Sequence, residues 1–408
     1  MIKLANTGKL AICLALAQIT LVRAERIEPL RQDTSKRDII EILAKEIFHK
    51  ESSPQKRIAR TRWKKKSPMY ISIIPVSTEQ RGGGKVFVSS ISTAFYLGNS
   101  DSTYISKSNI VPSTNFSNQF GIGYGFNLWT KNNNWNIPGD FKITTQNQYT
   151  YGLGSNTAES DRYRLSLNYI RCYVNANQRL VNDLFFGGGI NYDRYYGLEQ
   201  QNPPANPSTF EKYKIGSESN SYSLGVTANL LLDTRKNSIN TASGLYALLS
   251  LRVNPAMIGN DNQWTSLYAD VRRYLPFRSP RRSILALWGF YWGSYGNVPY
   301  LNLPSSSNEP TTRSGRGYIV SRFRGKEMLY AEAEYRFDLV ADGLFGGVVF
   351  CNAQSLTQPD TGNFAYLNPA GGFGARIKFN KNSNTNLTID FGFGKNSFDF
   401  YIGLGEFF

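Results

Sequence analysis

The chain has 408 residues, with 46 Lys and Arg against 30 Asp and Glu, a formal net charge of +16, and 25 Tyr, 25 Phe and 36 Gly. Its one histidine, His49, excludes a Ser-His-Asp triad, an imidazole general base in the body of the chain and a histidine-rich zinc site. Beyond the first residues no segment approaches the run of about 20 apolar residues that a membrane helix needs, which excludes a helical membrane protein.

Residues 1–24 read as a secretory signal: Lys3 and Lys9, an apolar core from Leu10 to Val22, and Val22-Arg23-Ala24 as a cleavage site. A lipoprotein signal at Leu10-Ala11-Ile12-Cys13 is disfavoured, because Ile12 is bulky where that cleavage needs a small residue. Export without a membrane helix leaves a soluble exported protein or a β-barrel. Cys172 and Cys351, the two cysteines of the mature chain, are too few for a disulfide-built fold and are expected to be unpaired thiols.

Residues 25–68 form a leash before the main body. From Arg37 to Lys50 the spacing of Ile39, Ile40, Leu43 and Ile47 predicts a short amphipathic helix, capped by Ser35 with Asp38 three residues on. It can dock on a partner, lie at the membrane interface or enter a barrel mouth. A basic run follows, with Lys56, Arg57, Arg60, Arg62, Lys64, Lys65 and Lys66 and no acid between them. An exported chain meets no genomic nucleic acid, so the run reads as a tether beside a membrane surface, with a merely solvated linker as the even alternative. The segment from Ser35 to Lys66 is expected to engage a periplasmic or membrane protein partner.

Residues 69–408 change to one strand after another, separated by turns rich in Gly, Asn, Asp, Ser and Pro. Gly82-Gly83-Gly84-Lys85 lacks the spacing of a phosphate loop and precedes a strand, so it reads as a hairpin turn. The expected strands are 70–76, 85–97, 104–112, 118–130, 140–151, 162–174, 182–196, 221–232, 244–254, 265–275, 282–295, 328–339, 345–353, 371–379, 386–393 and 398–408. That is about sixteen, an even number suited to an all-β antiparallel transmembrane β-barrel in contact with outer-membrane lipids. Leu165, Leu167 and Tyr169 oppose Arg164, Ser166 and Asn168, and Leu267, Ala269 and Val271 oppose Tyr268, Asp270 and Arg272, as lipid and lumen faces. Tyr192, Tyr195 and Tyr196, and Trp288, Tyr291 and Trp292, suit interfacial girdles.

The most informative stretch runs from Gly315 to Phe337. Leu329, Ala331, Ala333, Tyr335 and Phe337 alternate with Tyr330, Glu332, Glu334 and Arg336, giving a strand with an apolar face and a charged face. Before it lies a glycine-punctuated loop with Arg316, Arg322 and Arg324. If the charged face lines a lumen, this loop can fold inward onto Glu332 and Glu334. The two carboxylates could do acid–base chemistry, but beside several arginines they are more simply loop ligands, and neither a catalytic, a cofactor nor a metal site is expected.

These residues resemble the conserved loop and following strand of the BamA/TamA superfamily of bacterial surface antigens. There an Arg-Gly-aromatic tip, here Arg316-Gly317-Tyr318, reaches back into the barrel. Asp233-Thr234-Arg235-Lys236-Asn237, with Gly244 beyond, is similar to the family's turn motif, and Phe408 ends the chain as barrels recognised by the assembly machinery do. Three departures stand out. Gly315 replaces an aliphatic residue, Asn352 stands where Asp is common, and Glu406 lies where an aromatic or apolar residue is preferred. Residues 25–68 are too short for a POTRA domain, so the resemblance implies a branch without one.

The resemblance implies an outer-membrane factor for inserting or translocating proteins or lipids, working through a weak lateral seam between the first and last strands. Pro75 cannot donate to a ladder and Gly403 and Gly405 pack little, which marks both strands as weak. A passive pore and a barrel anchor for a periplasmic or surface partner are the alternatives.

Overall fold

Strict two-residue alternation has no stable home except a sheet with two unlike faces, and the chain forms one. The computed structural model describes residues 37–46, 69–81, 84–203, 212–216, 220–256, 262–277, 282–307 and 314–408. The expected signal segment, Ser35, His49 and the basic run lie outside these residues. Helix α1 (Ile39–Glu46) comes first, followed by β1 (Met69–Arg81), β2 (Gly84–Phe95), β3 (Ser106–Thr114), β4 (Phe120–Trp129), β5 (Trp135–Thr150) and β6 (Tyr163–Val181). Then come β7 (Leu184–Gln201), β8 (Asn220–Asp233), β9 (Gly244–Asn254), β10 (Trp264–Pro276) and β11 (Ser283–Gly296). The last are β12 (Glu327–Asp338), β13 (Phe345–Leu356), β14 (Asn368–Asn380), β15 (Thr385–Gly394) and β16 (Ser397–Leu404).

Each strand pairs with the next in one 16-stranded sheet, β1 to β16 in order, and every ladder is antiparallel. β1 and β16 come side by side, yet among the described residues no ladder joins them, so the barrel is nearly closed rather than sealed. No described helix is long and apolar enough to cross a membrane.

The outer wall carries Ile71, Ile73, Ile110, Ile122, Ile143, Ile190, Val226, Leu249, Leu251, Val349, Phe373 and Phe400, all exposed. An apolar belt of this extent needs hydrocarbon against it. Behind it, Tyr268, Asp270, Arg272, Tyr330, Glu332, Glu334 and Arg336 are buried in the lumen, as the alternation of β10 and β12 implies. Cys172 and Cys351 are free and stand on separate strands.

Several expectations are corrected. β1 runs on to Arg81 rather than stopping at Val76, because its partner β2 continues the ladder from Ser77↔Val88 to Arg81↔Gly84 beyond an irregularity at Pro75-Val76. β16 stops at Leu404, since Gly405 turns at φ 92° and the last residues enter the lumen. On β6 the faces are inverted: Leu165, Leu167 and Tyr169 point inward and are buried, while Arg164, Ser166 and Asn168 face out. Farther along the outer face Ile170, Cys172 and Val174 replace the polar residues, so the end of β6 beside the long loops projects beyond the apolar belt. Inside, it packs on Val298, Tyr300, Leu301 and Leu303 of the β11–β12 connection.

The aromatic clusters divide in the same way. Trp288, Trp292 and Tyr195 are buried in the lumen, whereas Tyr291 faces out beside Tyr295. Alternation along a strand cannot place consecutive aromatics on one girdle. Helix α1 is capped by Asp38, whose Oδ1 accepts from the Glu41 N–H at 2.7 Å, and so begins later than expected. Asp38 Oδ2 also accepts from Lys381 N–H at 2.8 Å, Lys381 Nζ reaches Glu41 at 2.6 Å and Arg37 reaches Asp342 at 2.6 Å. The helix is thereby docked on the β12–β13 and β14–β15 turns.

Candidate functional site

Residues 297–307 and 314–326, between β11 and β12, leave the rim and descend into the barrel, and Arg316 is a central anchor. Its side chain is fully buried. Nε donates to Glu332 Oε1 at 3.1 Å, Nη2 bonds both Glu332 and Glu334, and Nη1 donates to Asp390 Oδ2 at 2.7 Å. The guanidinium lies between two rings, 3.6 Å from the centroid of Phe350 and 4.2 Å from that of Phe407. Burying so many charges is tolerable only when each finds partners, and here one cation draws three carboxylates from β12 and β15 into contact. Asn352 holds the loop backbone instead, its side-chain Nδ2 donating to the Arg316 carbonyl at 2.9 Å.

The tip passes the wall where the wall has no side chains. Gly317 takes φ 101°, and a Cβ there would lie 2.9 Å from Ala370 Cβ and 3.0 Å from the Phe393 carbonyl carbon. A Cβ on Gly392 would come within 2.5 Å of Gly317 N, and one on Gly394 within 2.6 Å of the Tyr318 ring. Glycine on both sides is therefore what permits this approach. Tyr318 then fixes the tip, its hydroxyl donating to the Pro369 carbonyl at 2.8 Å and accepting from the Lys395 N–H at 3.1 Å. Gly317 N–H donates to the Tyr401 hydroxyl on β16 at 3.0 Å.

Arg322 and Arg324 do not dock on the lumen carboxylates. Arg322 donates to Thr157 Oγ1 at 2.6 Å and to the Thr157 carbonyl at 2.8 Å, and lies over the Tyr151 ring at 4.2 Å, so it fastens the β5–β6 loop to the plug. Arg324 is buried and, among the described residues, has no carboxylate partner. It donates to the carbonyls of Tyr300 at 2.9 Å and Leu303 at 3.3 Å and to Ser321 Oγ at 3.1 Å, organising the loop internally.

A second charged cluster closes the opposite end. Arg336 donates to Glu334 Oε1 at 2.5 Å and to the Phe408 carbonyl at 3.0 Å. Arg376 bridges Asp390 and Glu406, the latter at 2.8 Å, and Asn386 donates to Glu406 at 2.6 Å. Phe408 sits beneath the Arg336 guanidinium, 5.1 Å from ring centroid to cation, and packs on Trp288. The chain end is thus a lumen element rather than a strand terminus, and Glu406, which looked like a departure from a terminal signal, is a ligand for two arginines. The turn motif lies next to it. Arg235 forks onto Asp233 at 2.9 and 2.8 Å, Gly244 turns at φ 121°, and Glu406 N–H donates to the Ile239 carbonyl at 3.0 Å.

Sequence reasoning missed Asp390, Arg376, Phe350, Phe407 and Tyr401. Asp390 was findable, because Leu387, Ile389 and Phe391 alternate with Asn386, Thr388 and Asp390, and only Asp390 on that polar face is charged. The aromatic pair around Arg316 leaves no such trace.

At the seam, β1 breaks register between Ile74 and Ser77, where Pro75 lies, and β16 has only 8 residues. Gly403 pairs with Thr388 of β15, and the Gly405 N–H donates to the Asn386 carbonyl at 2.8 Å. Neither glycine gives a side chain to the wall facing β1.

These features define a sixteen-stranded antiparallel barrel with an inward-folded loop and, among the described residues, no ladder between its first and last strands. No protein-family model matches the chain, and no curated protein matches it in sequence. Among solved structures, BamA from Haemophilus ducreyi lacking POTRA domains 1–3 is similar at a TM-score of 0.52 and 13% identity, over 83% of this chain and 70% of that one. CdiB from Acinetobacter baumannii is similar at a TM-score of 0.52 and 11% identity, over 83% of this chain and 65% of that one. At these identities the likeness is one of fold.

Proposed function

We propose that this chain is an outer-membrane barrel of the BamA/TamA type that assists insertion or translocation of outer-membrane components through the β1–β16 seam. One observation carries the proposal: among the described residues the two strands adjoin without a ladder. Each edge therefore presents backbone N–H and C=O groups that an incoming strand can satisfy. In hydrocarbon an unsatisfied backbone group costs several kcal/mol, so such an edge favours a partner strand over lipid.

The lumen argues against a passive pore. The β11–β12 connection occupies it from one end, and the tail with the β8–β9 turn from the other. The docked helix argues against a leash held free for a partner, since Asp38 and Glu41 are engaged by Lys381 of the same chain.

The test is a reversible lock. Cysteines replace Ser72 and Leu404, which line one chamber beside the seam, in a background with Cys172 and Cys351 changed to Ser. Oxidation should abolish complementation of a deletion strain and reductant should restore it. An oxidised protein that still complements would reject the lateral seam.

A further inference from the structure

Beside the plug, the β1–β10 side of the lumen holds a chamber of about 620 Å³. That size falls within the range of small-molecule sites, but its walls are unlike most of them. Asn109, Asn127, Asn136, Asn175, Asn177 and Asn229 line it, from strands β3 to β8. Several are joined into a belt: Asn136 donates to Asn127 at 2.6 Å, Asn177 to Asn136 at 3.3 Å, and Asn229 to Asn175 at 3.0 Å. The rings of Tyr173, Tyr246, Trp264 and Trp292 are among those that line it as well.

Most charges around this chamber are paired, and Lys142 lies 5.9 Å from the centroid of the Tyr169 ring. Arg171 reaches Asp140 at 3.1 Å, Arg252 reaches Asp193 at 2.7 Å, Arg235 reaches Asp233 at 2.8 Å and Arg272 reaches Asp270 at 2.5 Å. Lys107 also lines the chamber, but its side chain is exposed to it, and among the described residues it has no carboxylate partner. Its Nζ donates to the Ser238 carbonyl at a long 3.4 Å. The charges acting on it are the guanidinium groups of Arg235 and Arg272 and the carboxylate of Asp233, an excess of positive charge. Among the described residues four further groups lining the chamber are buried without a hydrogen-bond partner: Asn177 Oδ1, Asn191 Oδ1, Asn302 Oδ1 and Ser238 Oγ.

We propose that this chamber is a binding site for a small anionic, polyhydroxylated ligand, a phosphorylated saccharide, with Lys107 receiving the anion and the asparagine belt the hydroxyl groups. Amides supply donors and acceptors for hydroxyl groups, aromatic rings cover the apolar face of a sugar, and an ammonium without a carboxylate partner favours an anionic group. Placed beside Tyr70 and Ser72 of β1, the site adjoins the seam, but its argument does not depend on what the seam does.

The experiment uses the full-length protein in detergent, with native mass spectrometry and thermal unfolding as readouts and three probes: a hexose phosphate, inorganic phosphate and the uncharged hexose. The hexose phosphate should bind and raise the unfolding midpoint, with the other two at least about tenfold weaker. Lys107→Gln should weaken the hexose phosphate by about tenfold or more while keeping heat-modifiable migration. Asn229→Leu should weaken it without changing the response to inorganic phosphate, and Arg179→Gln, outside the chamber, should change nothing. Equal binding of phosphate and hexose phosphate would overturn the saccharide assignment. Unchanged binding in Lys107→Gln, or no binding of any probe, would overturn the site.

Discussion

Arg316 and Asp390 meet at 2.7 Å across 74 positions of sequence, joining a loop between β11 and β12 to the wall of β15. Together with Glu332 and Glu334, Asp390 makes the loop part of the barrel's electrostatics. Arg316→Ala leaves three buried carboxylates without their shared cation. Removing one partner from a buried network costs about 3–5 kcal/mol. The variant should keep its barrel but lower its unfolding midpoint and expose residues 314–326 to protease. An unchanged midpoint with a resistant loop would contradict this.

The glycine contact between tip and wall gives a steric counterpart. Gly392→Val puts a side chain where Gly317 N already stands 2.5 Å from a bare Cβ. The tip should lift from β15 while the Arg316 charges remain intact. Protease sensitivity near 314–324 should rise as it does in Arg316→Ala, with a smaller loss of thermal stability.

The two faces of β9 can be compared at neighbouring positions. Leu251 is exposed on the lipid side and Ser250 lines the chamber. Leu251→Arg near the membrane midplane should cost roughly 2–4 kcal/mol, and Ser250→Arg much less. Folding efficiency into lipid vesicles measures the difference. Equal defects would mean the belt is misplaced.

Helix docking should depend on pH through Asp342. The backbone N–H of Leu344 first, then Arg37, holds its carboxyl below the ordinary value of 3.8. A group with a depressed folded value stabilises the docked state above its ordinary value, and that contribution is lost as pH falls through the folded value. A spin-label distance between the helix and the β12–β13 turn should therefore stay short at neutral pH and lengthen in strong acid. Asp342→Asn should remove this component of the acid response.

Much of the wall was legible because membrane strands leave a two-residue record. The apolar face of β12, the lumen face of β10 and the number of strands follow from alternation alone. β6 was misread because alternation gives two faces without saying which is inside. Its inward Leu165 and Leu167 are apolar since they pack on the inserted loop, a contact between residues more than 130 positions apart. Arg316 and its two β12 carboxylates were legible because they lie close in sequence. Asp390, Glu406 and the ring pair around Arg316 arrive from other strands and the tail. The fate of Phe408 depended on a positive φ at Gly405, which no spacing reveals.

The central claim, that the β1–β16 junction receives an incoming strand, is tested most directly by site-specific photocrosslinking during assembly. A photoreactive residue at Ile71 on β1 or Ile402 on β16 faces outward at the junction, and one at Leu249 on β9 faces outward from the wall. In cells synthesising a radiolabelled outer-membrane barrel precursor, the two junction positions should give a precursor adduct that disappears once the precursor is folded, and Leu249 should give none. Equal adducts at all three positions, or none at Ile71 and Ile402, would contradict the account.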